Sequence, residues 1–399
     1  MTDSSHTTRV GGDDPLDFLA LDGLLSVEER EIASTVRRFV ADRVLPEVGQ
    51  WYEDGTFPAR ELGPTMGELG LLGMHLDGYG CAGTSAVAYG LACLELEAGD
   101  SGLRSFVSVQ GSLAMFPIWA YGSDEQKQTW LPAMAAGEAI GCFGLTEPDS
   151  GSDPSSMRTH AKQEPGGDWV LNGSKMWITN GGVADVAVVW ARTDDGVRGF
   201  VVPTDTVGFT ANDIGRKASL RASVTSELVF DDLRLPADAV LPGVAGMRGP
   251  LSCLNEARFG ILFGAIGAGR ACYEAARSYA LEREQFGQPI AGFQLTQAKL
   301  VEMMIAVQRG TLLALHLGRL KDNGQITSAQ VSFGKMDNVR QALRIAREAR
   351  SVLGANGITL EYPVIRHMNN LESVYTYEGT NEVHTLVMGQ AITGINAFT

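Results

Sequence analysis

The chain has 399 residues, of which 44% are hydrophobic, and a formal net charge of −15. Because a single core stops growing at about 250 to 300 residues, this length predicts two or three packed domains. The acidic charge disfavours nucleic acid, whose binding depends on Lys and Arg, and the apolar runs are shorter than the roughly 20 residues that cross a membrane, so neither partner is expected.

The first residues, MTDSSHTTRVGGDDPLD, are polar and acidic. They lack the apolar core of a secretory signal and the basic amphipathic character of a transit peptide, so we expect a cytoplasmic protein. The five cysteines form no CxxC pair and the six histidines no HExxH motif. The sequence therefore predicts neither a disulfide framework nor a metal site.

Residues 1–139 are predicted to form an α-helical domain. From Ser26 onward apolar residues recur at helical spacing, as in VRRFVADRV at 36–44. Ser123 and Gln126 have the spacing of a capping box, in which each side chain hydrogen-bonds the other residue's backbone N–H.

Residues 140–244 change to short β-rich runs at 169–171, 176–179, 186–191, 199–202 and 227–230, separated by Gly and Asp. This pattern predicts an antiparallel, barrel-like β domain. Asn172 and Gly173 are typical of a type I′ hairpin turn, which needs positive φ at both central residues.

Residues 245–399 return to helical spacing, and we predict a four-helix bundle from the segments 251–283, 294–322, 326–353 and 381–392. Strands and helices do not alternate, which argues against a parallel doubly wound sheet. The predicted fold class is α+β multidomain.

Five motifs are unusual for a scaffold. They are CFGLTEPDSGSD at 142–153, KMWITN at 175–180, REQFG at 283–287 with Gln294, LGANG at 353–357 and YTYEGT at 375–380. In this order and in these α, β and α contexts they resemble the acyl-CoA dehydrogenase family. That family binds FAD without a Rossmann fingerprint, and this chain has neither GxGxxG after a strand nor a GxxxxGK[ST] loop.

The resemblance implies a homotetrameric flavoenzyme that passes electrons to an electron-transferring flavoprotein. It places the base that removes the α-proton of the acyl thioester at Glu378. The Glu378 backbone N–H and a flavin hydroxyl are expected on the thioester oxygen. Tyr375, Tyr377 and Gly379 offer aromatic walls and close backbone approach, conditions that raise a carboxyl's proton affinity.

The resemblance also implies the cofactor contacts. Contacts to the flavin ring are expected from Phe143, Leu145, Thr146, Gly151, Ser152, Trp177, Ile178 and Thr179. Contacts to the dinucleotide are expected from Arg283, Phe286 and Gln294 of a second subunit and from Leu353, Gly354, Ala355, Thr380 and Glu382. The family often has Leu-Gly-Gly where this chain has Leu-Gly-Ala at 353–355.

On the substrate side, the resemblance implies CoA contacts from Leu254, Asn255, Arg258 and Ser152. The segment EAGDSGLRSFVS at 97–108 closely resembles the pocket end of the glutaryl-CoA dehydrogenase subgroup. There the residue matching Arg104 pairs with the free carboxylate and the one matching Ser108 hydrogen-bonds nearby. The residues matching Glu97 and Tyr377 complete a polar network. Ser105 and Gly379 complete the expected substrate set, and IRHMNN at 365–370 and ITGINAF at 392–398 also match this subgroup.

The implied reaction oxidises glutaryl-CoA and decarboxylates the product to crotonyl-CoA and CO2, a step of lysine and tryptophan degradation. Alternatives stay open. A short- or branched-chain acyl-CoA dehydrogenase would use Arg104 for structure, as in a salt bridge with Glu97 or Asp100. An acyl-CoA oxidase would differ in its electron acceptor, and a non-enzymatic member would keep only the fold.

Overall fold

A computed structural model of the chain describes residues 17–398. The segment on which the cytoplasmic prediction depends, apart from Asp17, lies outside the described residues. The N-terminal helices are α1 (Val27–Phe39), α2 (Val48–Asp54), α3 (Ala59–Glu68), α4 (Ala86–Gly99), α5 (Ser101–Ser108), α6 (Phe116–Tyr121) and α7 (Asp124–Ala135). A π-helical turn, Val109–Met115, joins α5 to α6.

Reciprocal caps begin two of these helices. At α7 the Ser123 hydroxyl accepts from Gln126 N at 3.2 Å, and the Gln126 side chain accepts from Ser123 N at 3.0 Å, so the predicted capping box is confirmed. Ser26 and Glu29 form the same box at α1. These bonds satisfy backbone donors that a helix start leaves unpaired.

The middle part is a single sheet of β1 (Gly141–Gly144), β2 (His160–Gln163), β3 (Trp169–Thr179), β4 (Val186–Thr193), β5 (Gly196–Pro203), β6 (Phe209–Asp213) and β7 (Thr225–Leu235). Its order is β1-β4-β2-β3-β7-β6, with β5 on the other edge of β4. The predicted antiparallel pairing holds for most ladders. However, β1 runs parallel to β4, and β2 makes one parallel pair with it, because β1 and β2 follow one another along the same edge of β4.

The predicted hairpin turn at Asn172 and Gly173 is wrong. Both residues lie inside β3, where the register against β7 shifts in a β-bulge. Gly173 has φ +141°, and a Cβ there would lie 2.7 Å from Thr159 Cα. The Asn172 side chain bonds Asp232 instead of making a turn. The glycine is required for a bulge with close backbone approach, a local need that resembles a turn in sequence.

The C-terminal helices are α8 (Arg248–Glu282), α9 (Gln294–Asp322), α10 (Ser328–Leu353), α11 (Pro363–Thr376) and α12 (Asn381–Thr393), and a short hairpin of β8 (Glu284–Gln285) and β9 (Gln288–Pro289) follows α8. The predicted helical bundle is confirmed, but the prediction missed α11. Its buried face contains Arg366, His367 and Asn370, so polar residues interrupt the apolar periodicity.

By length and composition α9 is the one helix within 17–398 that could cross a membrane, with a mean hydropathy of 1.3 over its most apolar window. Charged residues such as Glu302 and Arg309 interrupt its apolar sequence. Of that window 39% is buried, and Met303, Ala306 and Leu317 join the bundle core. A core helix meets the same criterion.

Helix α8 connects two of the three hydrophobic cores. Its first turns, with Cys253 and Ala257, pack in a core shared with Phe143 and Leu145 of the sheet region. From Phe259 onward the helix belongs to the main helical core. A third core is formed by buried side chains of the strands themselves, among them Val189, Phe200 and Leu228. The predicted domain boundaries, 139/140 and 244/245, fall in the loops before β1 and before α8.

Candidate active site

The catalytic loop, defined as Tyr377–Gly379, connects α11 to α12. Glu378 has φ +50° and Gly379 φ +89°, so two successive residues adopt the left-handed conformation. That conformation is unfavourable for a glutamate and must be held by its surroundings. Thr380 ends the loop by capping α12, its hydroxyl accepting from Val383 N at 3.2 Å.

Two cations hold the carbonyls of this loop. Lys335 on α10 donates to Tyr377 O at 2.9 Å and to Gly379 O at 2.8 Å. Arg258 on α8 donates through Nε to Glu378 O at 2.8 Å. Each of the three carbonyls therefore accepts a hydrogen bond from a basic side chain. Burial lowers the pKa of Lys335 to about 7, so its two bonds are strongest when it is protonated.

The Glu378 carboxyl is set up to exchange a proton near neutrality. Its Oε2 is buried and has no hydrogen-bond partner in the described part of the chain. Desolvation raises the pKa of Glu378 to about 7, although the positive charges of Arg104, Arg258 and Lys335 oppose that rise. A group with this pKa can accept and return a proton at physiological pH, as the predicted role requires.

Arg104, which is 1% exposed, contacts two of the three residues predicted to meet it at the pocket end, Glu97 and Tyr377. Its Nε donates to Glu97 Oε2 at 2.6 Å, and its Nη2 donates to the Tyr377 hydroxyl. Ser105 Oγ lies 3.4 Å from the same hydroxyl. The Ser108 hydroxyl is buried on α5 and faces Tyr89, so its place at the pocket end stays a prediction. Glu97 Oε1 is buried on α4 without a hydrogen-bond partner among residues 17–398.

Gly264 on α8 leaves room for this buried pair. A Cβ at Gly264 would lie 2.1 Å from Glu97 Oε2 and 3.2 Å from Arg104 Nε. The carboxylate therefore packs directly against the helix backbone. Arg104 makes a salt bridge with Glu97, as one alternative held, but the bridge is buried and not on a helix surface.

The predicted CoA contacts are dispersed around the start of α8. Leu254 packs beside the core that contains Phe143 and Leu145. Asn255 Nδ2 donates to Ser328 Oγ at 2.9 Å, and Ser152 is exposed. Arg258 lies under the catalytic loop, and its contact with CoA stays a prediction.

The flavin motifs at 142–153 and 175–180 are joined in space. Met176 N donates to Thr146 O at 2.8 Å. The fully buried Lys175 donates to Leu145 O at 3.0 Å and to Glu147 at 2.8 Å. The two motifs therefore form one wall at the end of the sheet.

This wall fits an aromatic ligand with polar edges. Trp177 lies in the second bulge of β3 with φ +65°, and 61% of it is exposed. The hydroxyls of Thr146 and Thr179 make no hydrogen bond to a described residue and can serve a ligand. An indole face and free hydroxyls on adjoining backbone are the groups that a flavin ring would use.

Several predicted cofactor residues have side chains buried in hydrophobic cores, so only their main chain is available to a ligand. These are Phe143, Leu145, Ile178 and Leu353. By contrast, seven other predicted cofactor residues are exposed at the surface. These are Gly151, Arg283, Phe286, Gln294, Gly354, Ala355 and Glu382. Phe286 is 95% exposed on the hairpin after α8, as a residue reaching a second subunit would be, and that role stays a prediction.

Sequence reasoning missed Lys335 and Gly264. Lys335 lies four residues from both Val331 and Val339 on the buried stripe of α10, and it is 1% exposed. A lysine in register with an apolar stripe signals a buried cation with a specific partner. Its acceptors follow α11 in sequence and could not be read from α10 alone.

Profiles of the acyl-CoA dehydrogenase N-terminal, middle and C-terminal domains match residues 26–138, 142–233 and 245–393. The short-chain specific acyl-CoA dehydrogenase of Homo sapiens, a mitochondrial protein, is 36% identical over 365 residues, covering 90% of this chain and 88% of the human one.

Solved structures are also similar. A glutaryl-CoA dehydrogenase from Mycobacterium smegmatis has a TM-score of 0.95 and 67% identity, covering 98% of this chain and 100% of that one. A second structure from that organism, in complex with FADH2, has a TM-score of 0.95 and 62% identity, covering 96% and 99%. A glutaryl-coenzyme A dehydrogenase in complex with glutaryl-CoA has a TM-score of 0.89 and 32% identity, covering 94% and 97%.

Proposed function

The chain belongs to the FAD-dependent acyl-CoA dehydrogenase family, and we propose that its substrate is glutaryl-CoA, which it oxidises and decarboxylates to crotonyl-CoA and CO2. One observation carries this proposal. The buried Arg104 bonds the Tyr377 hydroxyl, and Tyr377 is the residue next to the base, Glu378. The cationic pocket end therefore lies close enough to the base for the charge of Arg104 to act on the Glu378 carboxyl.

The charges around the loop favour an acyl chain that ends in a carboxylate. The buried or half-buried cations are Arg104, Arg258 and Lys335, and the carboxylates are Glu97 and Glu378. This set has one positive charge in excess when all five groups are ionised. Arg104 Nη1 donates to no described residue, so its N–H groups are available to a ligand. A neutral alkyl end would leave these donors desolvated without a partner, which is costly.

The proposed reaction begins at the α-carbon of the thioester. Glu378 removes the α-proton, and its raised pKa of about 7 makes it a stronger base than an exposed glutamate. Bound FAD supplies the acceptor for the hydride that leaves the β-carbon. The Glu378 N–H stabilises the negative charge that develops on the thioester oxygen.

The second step uses the same residues. The oxidised acyl chain retains its carboxylate, and loss of CO2 leaves the bonding electrons delocalised into the thioester. Glu378, now protonated, returns a proton to this dienolate and yields crotonyl-CoA. Arg104 holds the carboxylate until CO2 leaves, and the Glu97–Arg104–Tyr377 network keeps the guanidinium oriented.

Anaerobic mixing of the purified FAD-loaded protein with glutaryl-CoA tests the proposal. We expect bleaching of the flavin absorbance, release of labelled CO2 from glutaryl-CoA labelled in its free carboxyl, and crotonyl-CoA by mass spectrometry. Glutaconyl-CoA without CO2 would contradict decarboxylation. Bleaching by butyryl-CoA but not by glutaryl-CoA would contradict the substrate.

A short-chain acyl-CoA dehydrogenase without decarboxylation is the alternative. It is favoured by the pairing of Arg104 with Glu97 and Tyr377, since a guanidinium with two partners within the protein can serve structure alone. A panel of butyryl-, isovaleryl- and glutaryl-CoA distinguishes the two functions by their relative rates of flavin reduction.

We also propose a cytoplasmic homotetramer that passes electrons to an electron-transferring flavoprotein. Exposed apolar residues on and next to α9 support association with further copies, among them Phe286, Leu295 and Val301. Sedimentation of the purified protein tests the tetramer. Reduction of an electron-transferring flavoprotein under turnover tests the acceptor, and peroxide production under air would favour an oxidase instead.

A further inference from the structure

Lys335 lies where a buried charge is unexpected. It is 1% exposed on α10, and its ammonium group makes no ion pair with a described carboxylate. Its recorded acceptors are the backbone carbonyls of Tyr377 and Gly379. Buried lysines are normally paired because desolvation of the charge is costly. Burial lowers the pKa of Lys335 to about 7, so its two hydrogen bonds to the catalytic loop offset only part of the desolvation cost.

Because the peptide bond is planar, the contact of Lys335 with Tyr377 O also fixes the direction of the Glu378 N–H. In a trans peptide the C=O of one residue and the N–H of the next point in opposite directions. Lys335 holds Tyr377 O at 2.9 Å, so the N–H of Glu378 points away from α10. That N–H donates to no described residue, which leaves it free for a ligand.

We propose that Lys335 is a positioning residue that fixes and polarises the peptide between Tyr377 and Glu378, so that the Glu378 N–H stabilises the charge on the thioester oxygen. Burial lowers the pKa of Lys335 to about 7. In its protonated form Lys335 draws electron density away from the amide nitrogen through the carbonyl and makes the Glu378 N–H a stronger donor. The second bond, to Gly379 O, holds the other end of the left-handed turn. This inference rests on the proposed proton abstraction by Glu378 but not on the identity of the acyl chain.

Other charged and titratable groups face the same loop, and the test must separate them from Lys335. Arg104 approaches from α5 and Arg258 from α8, and both lower the proton affinity of Glu378. His384 on α12 lies against Gly379, but burial lowers its pKa to about 3, so it stays neutral. Lys335 alone among these groups bonds the carbonyl that precedes the Glu378 N–H.

The test uses FAD-loaded Lys335→Met, Lys335→Gln and Lys335→Arg. We expect Lys335→Met to reduce the rate of flavin reduction at saturating substrate by about 100-fold, the loss typical of one such donor, with little change in substrate affinity. Lys335→Gln and Lys335→Arg keep N–H donors and should recover part of the rate. The loss should be equal for glutaryl-CoA and butyryl-CoA, because the thioester is common to both.

A spectroscopic readout distinguishes positioning from a merely structural role. Crotonyl-CoA labelled with 13C at its carbonyl is bound to the oxidised protein, and its C=O stretch is measured by isotope-edited infrared difference spectroscopy. A stronger hydrogen bond lowers this frequency, so Lys335→Met should raise it towards the value in water. Lys321→Met, which removes a bundle lysine that pairs with Glu256, is the control and should leave the frequency unchanged.

Each outcome decides the proposal. A rate equal to that of the unaltered protein, or a reduced rate with an unchanged C=O frequency, would overturn it. If Lys335→Met does not bind FAD, the same measurements on Lys335→Gln decide. If the unaltered protein is bleached by butyryl-CoA alone, the glutaryl proposal fails, and the role of Lys335 is then judged with butyryl-CoA.

Discussion

Replacement of Arg104 by methionine should separate recognition of the acyl carboxylate from the rest of catalysis. The guanidinium is 1% exposed and 2.6 Å from Glu97, so a substrate carboxylate would meet it in a desolvated site. Truncating one partner of such a buried charge pair costs about 2 to 5 kcal/mol. At 1.36 kcal/mol for each factor of ten, kcat/KM for glutaryl-CoA should fall by roughly 30- to 5,000-fold.

The same change has a cost that does not depend on substrate. Removing Arg104 leaves the Glu97 carboxylate buried without its cation, and an uncompensated buried charge costs about 3 to 5 kcal/mol of stability. The double variant Glu97→Gln with Arg104→Met removes that charge and is the matched control. It should recover stability in thermal unfolding without recovering glutaryl-CoA turnover.

The assay is anaerobic stopped-flow reduction of the flavin by glutaryl-CoA and by butyryl-CoA, with each variant's FAD content measured first. We expect a large loss for glutaryl-CoA and a small one for butyryl-CoA. Equal losses for both thioesters, in a variant that binds FAD normally, would refute recognition of the carboxylate by Arg104.

Three further predictions concern the loop and its surroundings. Glu378→Gln should fold and bind FAD but lose about 100- to 10,000-fold in the rate of flavin reduction, because the amide cannot accept the α-proton; normal reduction would exclude Glu378 as the base. In the unaltered protein the reduction rate at saturating substrate should rise with pH from 5 towards 7, since the base acts only when ionised; a rate that does not rise over this range would contradict this. Gly264→Ala should lower stability by about 1 to 3 kcal/mol and impair glutaryl-CoA more than butyryl-CoA, because its Cβ would lie 2.1 Å from Glu97 Oε2; calorimetry and the two-substrate assay measure both effects.

The sequence was sufficient for features that depend on local chemistry. The capping box at Ser123, the long C-terminal helices and the order of helical, β and helical parts follow from spacing within one segment. The position of Glu378 followed from a resemblance, and the structure adds the cause of its proton affinity. That cause is burial among residues from several helices, which no single segment contains.

The errors have physical reasons as well. At Asn172 and Gly173 the sequence shows a need for unusual backbone geometry but not whether a turn or a bulge meets it. Helix α11 was missed because Arg366 and Asn370 are buried where apolar residues were expected, and both bond Asp100 at the start of α5. Hydrophobic periodicity within one segment cannot show hydrogen-bond partners that lie more than 260 residues away in the sequence.

The bond between Arg104 and Glu97 limits how this protein can change its substrate in evolution. Loss of Arg104 alone leaves the Glu97 carboxylate buried without its cation, so a single substitution that removes carboxylate recognition also destabilises the fold. A descendant that accepts neutral acyl chains must therefore change Glu97 in concert with Arg104. A path that changes one residue at a time passes through a poorly stable intermediate.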